Sequence, residues 1–463
     1  MSFHFLDILI IAAYFGIVAI LGWVKGGKPK DEDYLLMGRQ LTMPGFLLSL
    51  VSTWYGGILA SSEYSYAYGL SNWIIFGVPY YVFAAIFALF LAKRARKKFV
   101  ISIPHLIGEN YGTAGRVLSA CLVLILATPA PYILTIGVLL KFLFGVPLVP
   151  GILAGALFSF LYIYRDGLAV IIRTDLFQCV LMYGGYILLF IFAWLKWESP
   201  VELWTTVREQ SPNHVSATGG EPVSYILVWF FMASWTLVSP MFHQRVYALK
   251  ESKNATRGIF SAVLLWTVFD FLTTIIGLYA FAHLPHLMDP RVAHLALGEA
   301  ILPIGIYGLF LTGIFSVVMS TLDSEMFVSG VTLGPDMLGR IPKLRKLSEP
   351  VITRIGMALV TLVSILFAVF VPSVVDMYYT IGTLAVPGLL LPVLSSVGLV
   401  PRIPSSIVVL HMVLVPASTV CWYLINHYIP DLLPAIEPFY PGCAVSALIW
   451  GVGMLTMPTS NKN

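Results

Sequence analysis

Apolar side chains occupy this chain in long runs, and polar ones gather in short stretches between them. Runs of about 17–25 residues, the length an α-helix needs to cross a bilayer, fall at roughly 5–24, 45–65, 74–93, 117–143, 149–164, 170–195, 222–244, 258–282, 303–331, 352–373, 376–398, 406–426 and 440–457. The pattern predicts an all-α, polytopic membrane protein with about thirteen transmembrane helices in one transmembrane unit over 1–463. The first run, Ile8 to Val24, has no small-residue cleavage site after it and reads as a helix, not a removed leader. Two loops, about 197–221 and 284–300, are the longest, and neither is long enough for a separate domain.

Polar residues inside such runs are costly and mark function. The stretch VVMSTLDSEMFVSG, Val317 to Gly330, packs Ser320, Thr321, Asp323 and Ser324 into five positions. At about 100° per residue, Gly313, Ser316, Val317, Ser320, Thr321, Asp323 and Ser324 share an arc of roughly 160°. Ile314, Val318, Met319, Leu322 and Met326 lie opposite, free to face lipid or other helices, and Glu325 falls with them. Hydroxyl and carboxylate oxygens on one face suit a hard monovalent cation. A second interruption is GFLLSLVSTWYGGILASSEYSYAYGLSN, residues 45–72, where Ser52, Thr53, Gly56, Gly57, Ser61, Ser62 and Glu63 break the apolar pattern. Adjacent glycines disfavour a continuous helix, and a break frees backbone carbonyls for an ion. Asp175 sits about a turn inside the run near Val170, with Arg173 on a different face, and Asp270 is a further acid inside TVFDFLTT.

Composition agrees with the membrane reading: 58% of the residues are hydrophobic and 11% charged, where a soluble domain carries about 25% charged. The distribution of charge sets orientation. With the N-terminus outside, 23 of the 27 lysines and arginines become cytoplasmic, among them Lys25, Lys28, Lys30, the Lys93–Lys98 cluster, Arg245 to Arg257, Arg340 to Arg354 and Lys462; only Lys141, Lys196, Arg208 and Arg291 remain outside. That places the C-terminus in the cytoplasm. Cys121, Cys179, Cys421 and Cys443 lie far apart and read as small core residues. No GxxxxGK[ST] loop is present, which excludes transport driven by that nucleotide site. Scattered histidines such as His105, His243 and His411 lack the spacing of a catalytic metal site, so an enzyme is not expected.

Five stretches in order resemble the sodium:solute symporter family: DEDYLLMGRQLTMPG, ISIPHLIGENYG (with His105 where the family usually has an acid), DGLAVIIRTDLFQ, FHQRVYALKESKNATRG and IFSVVMSTLDSEMFVSG. The resemblance implies a LeuT-type inverted repeat. A peripheral helix at 5–26 would precede a five-helix repeat over 45–195 and a second over 222–398, with two peripheral helices in 406–457 and a discontinuous first core helix. Five is odd, so the second copy enters from the opposite side. The resemblance also implies a sodium ion held by backbone carbonyls of Ser52, Tyr55 and Val317 and by the hydroxyls of Ser320 and Thr321. Positions 317, 320 and 321 are stacked on one helical face. A second sodium would involve Asp175, Thr174, Asp323 and Ser324. The solute would lie near Trp54, Gly56, Gly57, Tyr80, Thr128, Trp235 and Ser239. Gly56 and Leu59, after the break, stand where some relatives carry polar solute contacts, which disfavours a sugar-like or sialic-acid-like site.

The expected function is therefore sodium-coupled uptake of a small organic solute across the cell membrane. The expected partners are that solute and the bilayer, with no nucleic acid, for a monomer or weak homo-oligomer. Proton coupling through Glu63, Asp175, Asp270 or Asp323 is an alternative, as is a transporter-like sensor.

Overall fold

A computed structural model describes residues 4–23, 31–371, 374–429, 432 and 436–457. Lys25, Lys28, Lys30 and Lys462, which entered the orientation count, lie outside the described residues. Helices dominate. Ten are long and apolar enough to span a membrane, and three shorter apolar helices, Met43–Ser52, Leu148–Ile163 and Phe439–Leu455, accompany them among the described residues. Large apolar side chains such as Leu157, Leu195, Leu264, Val363 and Leu448 stand exposed on the outside of the bundle, as lipid-facing positions require. Cys121 and Cys421 share that outer surface, whereas Cys179 is buried, so a core position holds for only part of the set.

The Ile306–Val331 helix is the axis of the molecule, and all but Ile306 and Leu309 of its residues are buried. It lies along Leu168–Lys196, where glycines bring the backbones together: a side chain on Gly313 would come within 2.8 Å of the Leu181 carbonyl, and one on Gly185 within 3.2 Å of Phe310 Cα. Small residues at such crossings substitute close packing for the missing hydrophobic drive between helices in lipid. The peripheral Phe5–Trp23 helix caps this axis. Asp7 Oδ1 accepts hydrogen bonds from the amides of Gly305 and Gly308, both at 2.8 Å, placing a carboxylate on a helix N-terminus, where the macrodipole favours it.

Three runs are interrupted. The chain predicted to break at Gly56–Gly57 does so: one helix ends at Ser52 and the next begins at Ile58. The run at 117–143 divides into Ile103–Leu126 and Ala130–Phe144, because Pro129 and Pro131 remove backbone donors. The carbonyl freed at Ala127 accepts from the Ser329 hydroxyl at 2.5 Å. The run at 222–244 is also discontinuous, as Val223–Met232, Trp235–Val238 and Pro240–Ala248. Ser239 opens the last piece, its hydroxyl accepting from the Phe242 amide at 3.5 Å. The two long loops contain helices of their own, Pro200–Gln210 and Ala293–Ile301.

Candidate functional site

The first break faces the axial helix. Without a side chain at Gly56 the strand of chain between Ser52 and Ile58 can touch it: a Cβ there would meet the Tyr132 ring at 2.5 Å and Thr321 Cβ at 2.6 Å. The Ser320 hydroxyl donates to the Ser52 carbonyl at 2.7 Å and lies 3.2 Å from the Val317 carbonyl. The Thr321 hydroxyl donates to the same Val317 carbonyl at 3.2 Å. Four of the five oxygens expected to hold sodium, those of Ser52, Val317, Ser320 and Thr321, are thus gathered in one place. The fifth, the Tyr55 carbonyl, belongs to the bond preceding Gly56, and no hydrogen bond to it is made among the described residues. All five residues are buried. Two hydroxyls and three carbonyls make an uncharged, hard-oxygen set, which suits Na⁺ and gives a transition metal nothing to prefer.

Of the residues expected to hold a second ion, one turn further along, Asp175 and Ser324 are joined through Arg245, whereas Thr174 and Asp323 engage other neighbours. The Thr174 hydroxyl donates back to Val170 and Ile171 within its own helix. Asp175 Oδ2 accepts from the Ser49 hydroxyl at 2.5 Å and lies 3.5 Å from Arg245 Nη2. The same guanidinium donates to the Ser324 hydroxyl at 2.5 Å and to Ser49 at 3.2 Å. Counting Arg245 among cytoplasmic loop charges is therefore corrected. It is fully buried, because Asp175 supplies the opposite charge and three polar side chains take its remaining donors. Arg173 pairs instead with Asp166 at 3.1 Å. Asp323 turns to another neighbour, accepting from the Tyr162 hydroxyl. Asp175 Oδ1 and Asp323 Oδ1 are buried with no hydrogen-bond partner.

Beside the break lies a cavity of about 190 Å³, lined by residues on both sides of the 53–57 break, by residues 229–241 and by neighbouring helices. Trp54, Gly57, Tyr80, Trp235 and Ser239, all expected at the solute site, line it. Gly56 is packed beneath Tyr132 and does not, and the Thr128 hydroxyl is engaged with Ser364 at 3.3 Å. The rings interlock: Trp54 meets Tyr80 edge-on at 5.3 Å and Trp266 at 5.0 Å. Sequence reasoning missed Tyr132, Trp229, Tyr378 and Glu325 as lining residues. Glu325 was expected on the back of its helix, with lipid or packing neighbours, yet it borders the cavity. A helix buried on every side has no lipid face to receive it.

Three comparisons bear on this arrangement. The model of the family described as the sodium:solute symporter family matches residues 34–397. Relatives include a sodium/glucose cotransporter of Vibrio parahaemolyticus, 22% identical over 374 residues and covering 70% of this chain and 66% of its own length. A sodium/pantothenate symporter of Haemophilus influenzae is 26% identical over 351 residues, covering 71% of each. Among solved structures, a Na⁺-coupled sialic acid symporter in a substrate-bound outward-open state superposes with a TM-score of 0.81 at 16% identity over 98% of both chains. A nucleobase-cation-symport-1 family transporter in a closed conformation reaches 0.54 at 13% identity, over 94% of this chain and 97% of its own. The chain spans just under two thirds of the glucose cotransporter, and the fold likeness carries across nearly its whole length. With an oxygen-lined break against the axial helix and a family match over most of its residues, the chain belongs to the sodium:solute symporter family.

Proposed function

We propose that this protein carries a small organic solute into the cell together with Na⁺, by alternating access of two inverted five-helix repeats, residues 45–195 and 222–398. The observation that carries the reading is the approach of the broken helix to the axial helix, which collects Ser52, Val317, Ser320 and Thr321 around one point beside the cavity. The discontinuity at Ser239 in the second repeat supports it, since paired broken helices flank the solute site in transporters built this way. In this reading Na⁺ binds the carbonyls of Ser52, Tyr55 and Val317 and the hydroxyls of Ser320 and Thr321. The two hydroxyls turn their lone pairs to the ion. The solute sits against Trp54, Gly57, Tyr80, Trp235 and Ser239. One inward charge releases about 2.3 kcal/mol per 100 mV of membrane potential.

The N-terminus is placed outside and the C-terminus in the cytoplasm of the cell membrane, on the lysine and arginine bias alone, and the working unit is a monomer or weak homo-oligomer. A second ion, Na⁺ or H⁺, is favoured by the two buried carboxylate oxygens without partners, Asp175 Oδ1 and Asp323 Oδ1, with Thr174 and Ser324 beside them. The test is thermal unfolding of the purified protein in KCl buffer, titrated with NaCl at pH 6 and pH 8. A rise in melting temperature with NaCl at both pH values, lost on Thr321→Ala, supports sodium coupling at the first site. A flat sodium response with a pH-dependent one removed by Asp323→Asn would replace sodium with a proton.

A further inference from the structure

The central cavity carries two carboxylates and no positive charge. Asp270 and Glu325 both line it, and among the described residues no lysine, arginine or histidine does. The Tyr81 hydroxyl donates to Asp270. Glu325 is only 4% exposed, and its Oε2 has no hydrogen-bond partner at all. To stay ionised, a carboxylate taken out of water needs an opposite charge or a full set of donors. Arg245 lies within electrostatic range of Glu325, but its donors go to Ser49, Gln244 and Ser324, and its ion pair is with Asp175. The protein thus answers one buried arginine with Asp175, and of the two cavity acids Asp270 is met by Tyr81 while Glu325 Oε2 has no donor.

The rest of the wall is aromatic. Tyr132 and Tyr378 stand 5.9 Å apart beside Glu325, and Trp54 and Tyr80 close the adjoining side. Ring faces attract cations, most of all when water is excluded. Neutral polar groups there are Thr53, Ser61, Asn72, Ser239 and the hydroxyls of tyrosines such as Tyr80, and none of them carries a charge. An anionic solute would find two acids and no basic side chain in this lining.

We propose that the transported solute is a small organic cation, an ammonium or guanidinium compound, whose charge is met by Glu325 and whose apolar body packs on the aromatic faces of Trp54, Tyr80, Tyr132 and Tyr378. This rests on reading the cavity as the solute site of a symporter. Uptake of such a solute with Na⁺ moves at least two positive charges inward per cycle.

The test is thermal unfolding of the purified chain in KCl buffer, first with NaCl alone, then with choline, tetramethylammonium, phenethylammonium or guanidinium, each with and without NaCl. Acetate and 3,3-dimethyl-1-butanol, a neutral isostere of choline, run beside them. At least one cation should raise the melting temperature in NaCl at a concentration tenfold or more below that needed of the butanol. Glu325→Gln should weaken that cation at least tenfold while the shift with NaCl alone persists. Where Glu325→Gln loses the NaCl shift, Asp270→Asn carries the same expectation at the other carboxylate. No cation outdoing the isostere and acetate, or a variant that binds the cation like the parent, overturns the proposal. The NaCl-only response reports on the coupling site by itself, so its absence defeats sodium symport while the cation panel still decides the charge of the solute.

Discussion

The Ser320 hydroxyl donates to the Ser52 carbonyl at 2.7 Å, joining two helices 268 residues apart in the chain. This bond holds together the oxygens assigned to sodium, and the hydroxyl must rotate away from the carbonyl for both to face an ion. Replacing Ser320 by Ala removes one ion ligand and the bond that keeps the helices in place. Sodium titration of the melting temperature should show half-saturation rising at least tenfold, equivalent to about 1.4 kcal/mol. Thr321→Ala, which deletes a ligand but spares that bond, should weaken sodium with less loss of stability in KCl. Equal sodium responses in both variants and the parent would move the ion elsewhere.

Arg245 and Asp175 make a different kind of claim, about folding. Both side chains are inaccessible to solvent, and Arg245 Nη2 lies 3.5 Å from Asp175 Oδ2. Removing one member of such a pair leaves a bare buried charge and costs about 3–5 kcal/mol, whereas removing both is often far milder. Arg245→Met should therefore lower stability sharply, and Arg245→Met combined with Asp175→Asn should recover much of the loss. Unfolding of the four members of the cycle in detergent measures the coupling. Additive losses would show that the two charges do not compensate each other.

These two sites differ in how far they could be read from the chain itself. The Ser320–Thr321 pair and the break at Gly56–Gly57 are local signals, small polar residues at helical spacing and two adjacent glycines, and both survive folding. Arg245 stands at the edge of an apolar run, where local pattern reads it as a loop charge. Its burial depends on Ser49 and Asp175, which only tertiary packing brings near. Glu325 shows the same limit from the other side. A helical wheel gives it the back of a one-sided helix, but at the centre of a bundle the back is another wall. The break at Ser239 was signalled only by that serine before Pro240, hidden among tryptophans, phenylalanines and methionines that otherwise continue a span.

Gly56 offers a test of close approach in which the usual helix preference points the wrong way. Alanine favours helix over glycine by about 1 kcal/mol, yet a Cβ at 56 would lie 2.5 Å from the Tyr132 ring and 2.6 Å from Thr321 Cβ. Gly56→Ala should push the broken segment off the axial helix, raising the sodium requirement by tenfold or more. Gly184→Ala, at a site with nothing within 4 Å, should leave the sodium response unchanged and match or exceed the parent in stability. A Gly56→Ala protein with parental sodium affinity would show that the chain can open there without disturbing the ion ligands.

Acid should loosen the far half of the broken helix through His214. This residue lies in the connection after Pro200–Gln210, outside the spanning helices, and holds residues 66–70. Its carbonyl accepts from the Leu70 amide at 2.8 Å, its ring nitrogens lie 3.1 Å from the Tyr66 carbonyl and 2.9 Å from the Ser211 hydroxyl, and the ring stacks on Phe281 at 3.8 Å. Burial holds its pKa below the ordinary value of 6.5. The unfolded or undocked segment then binds a proton more readily than the docked one, so docking is fully stabilised above about pH 6.5 and weakens as pH falls through the depressed value. Hydrogen exchange at the Leu70 amide, corrected for its intrinsic rate, should lose protection between pH 7.5 and pH 5. His214→Phe, which keeps the stacking and cannot titrate, should flatten that dependence. If the variant responds to acid as the parent does, the sensitivity belongs to Glu63 or another carboxylate on that side, and His214 serves only as packing.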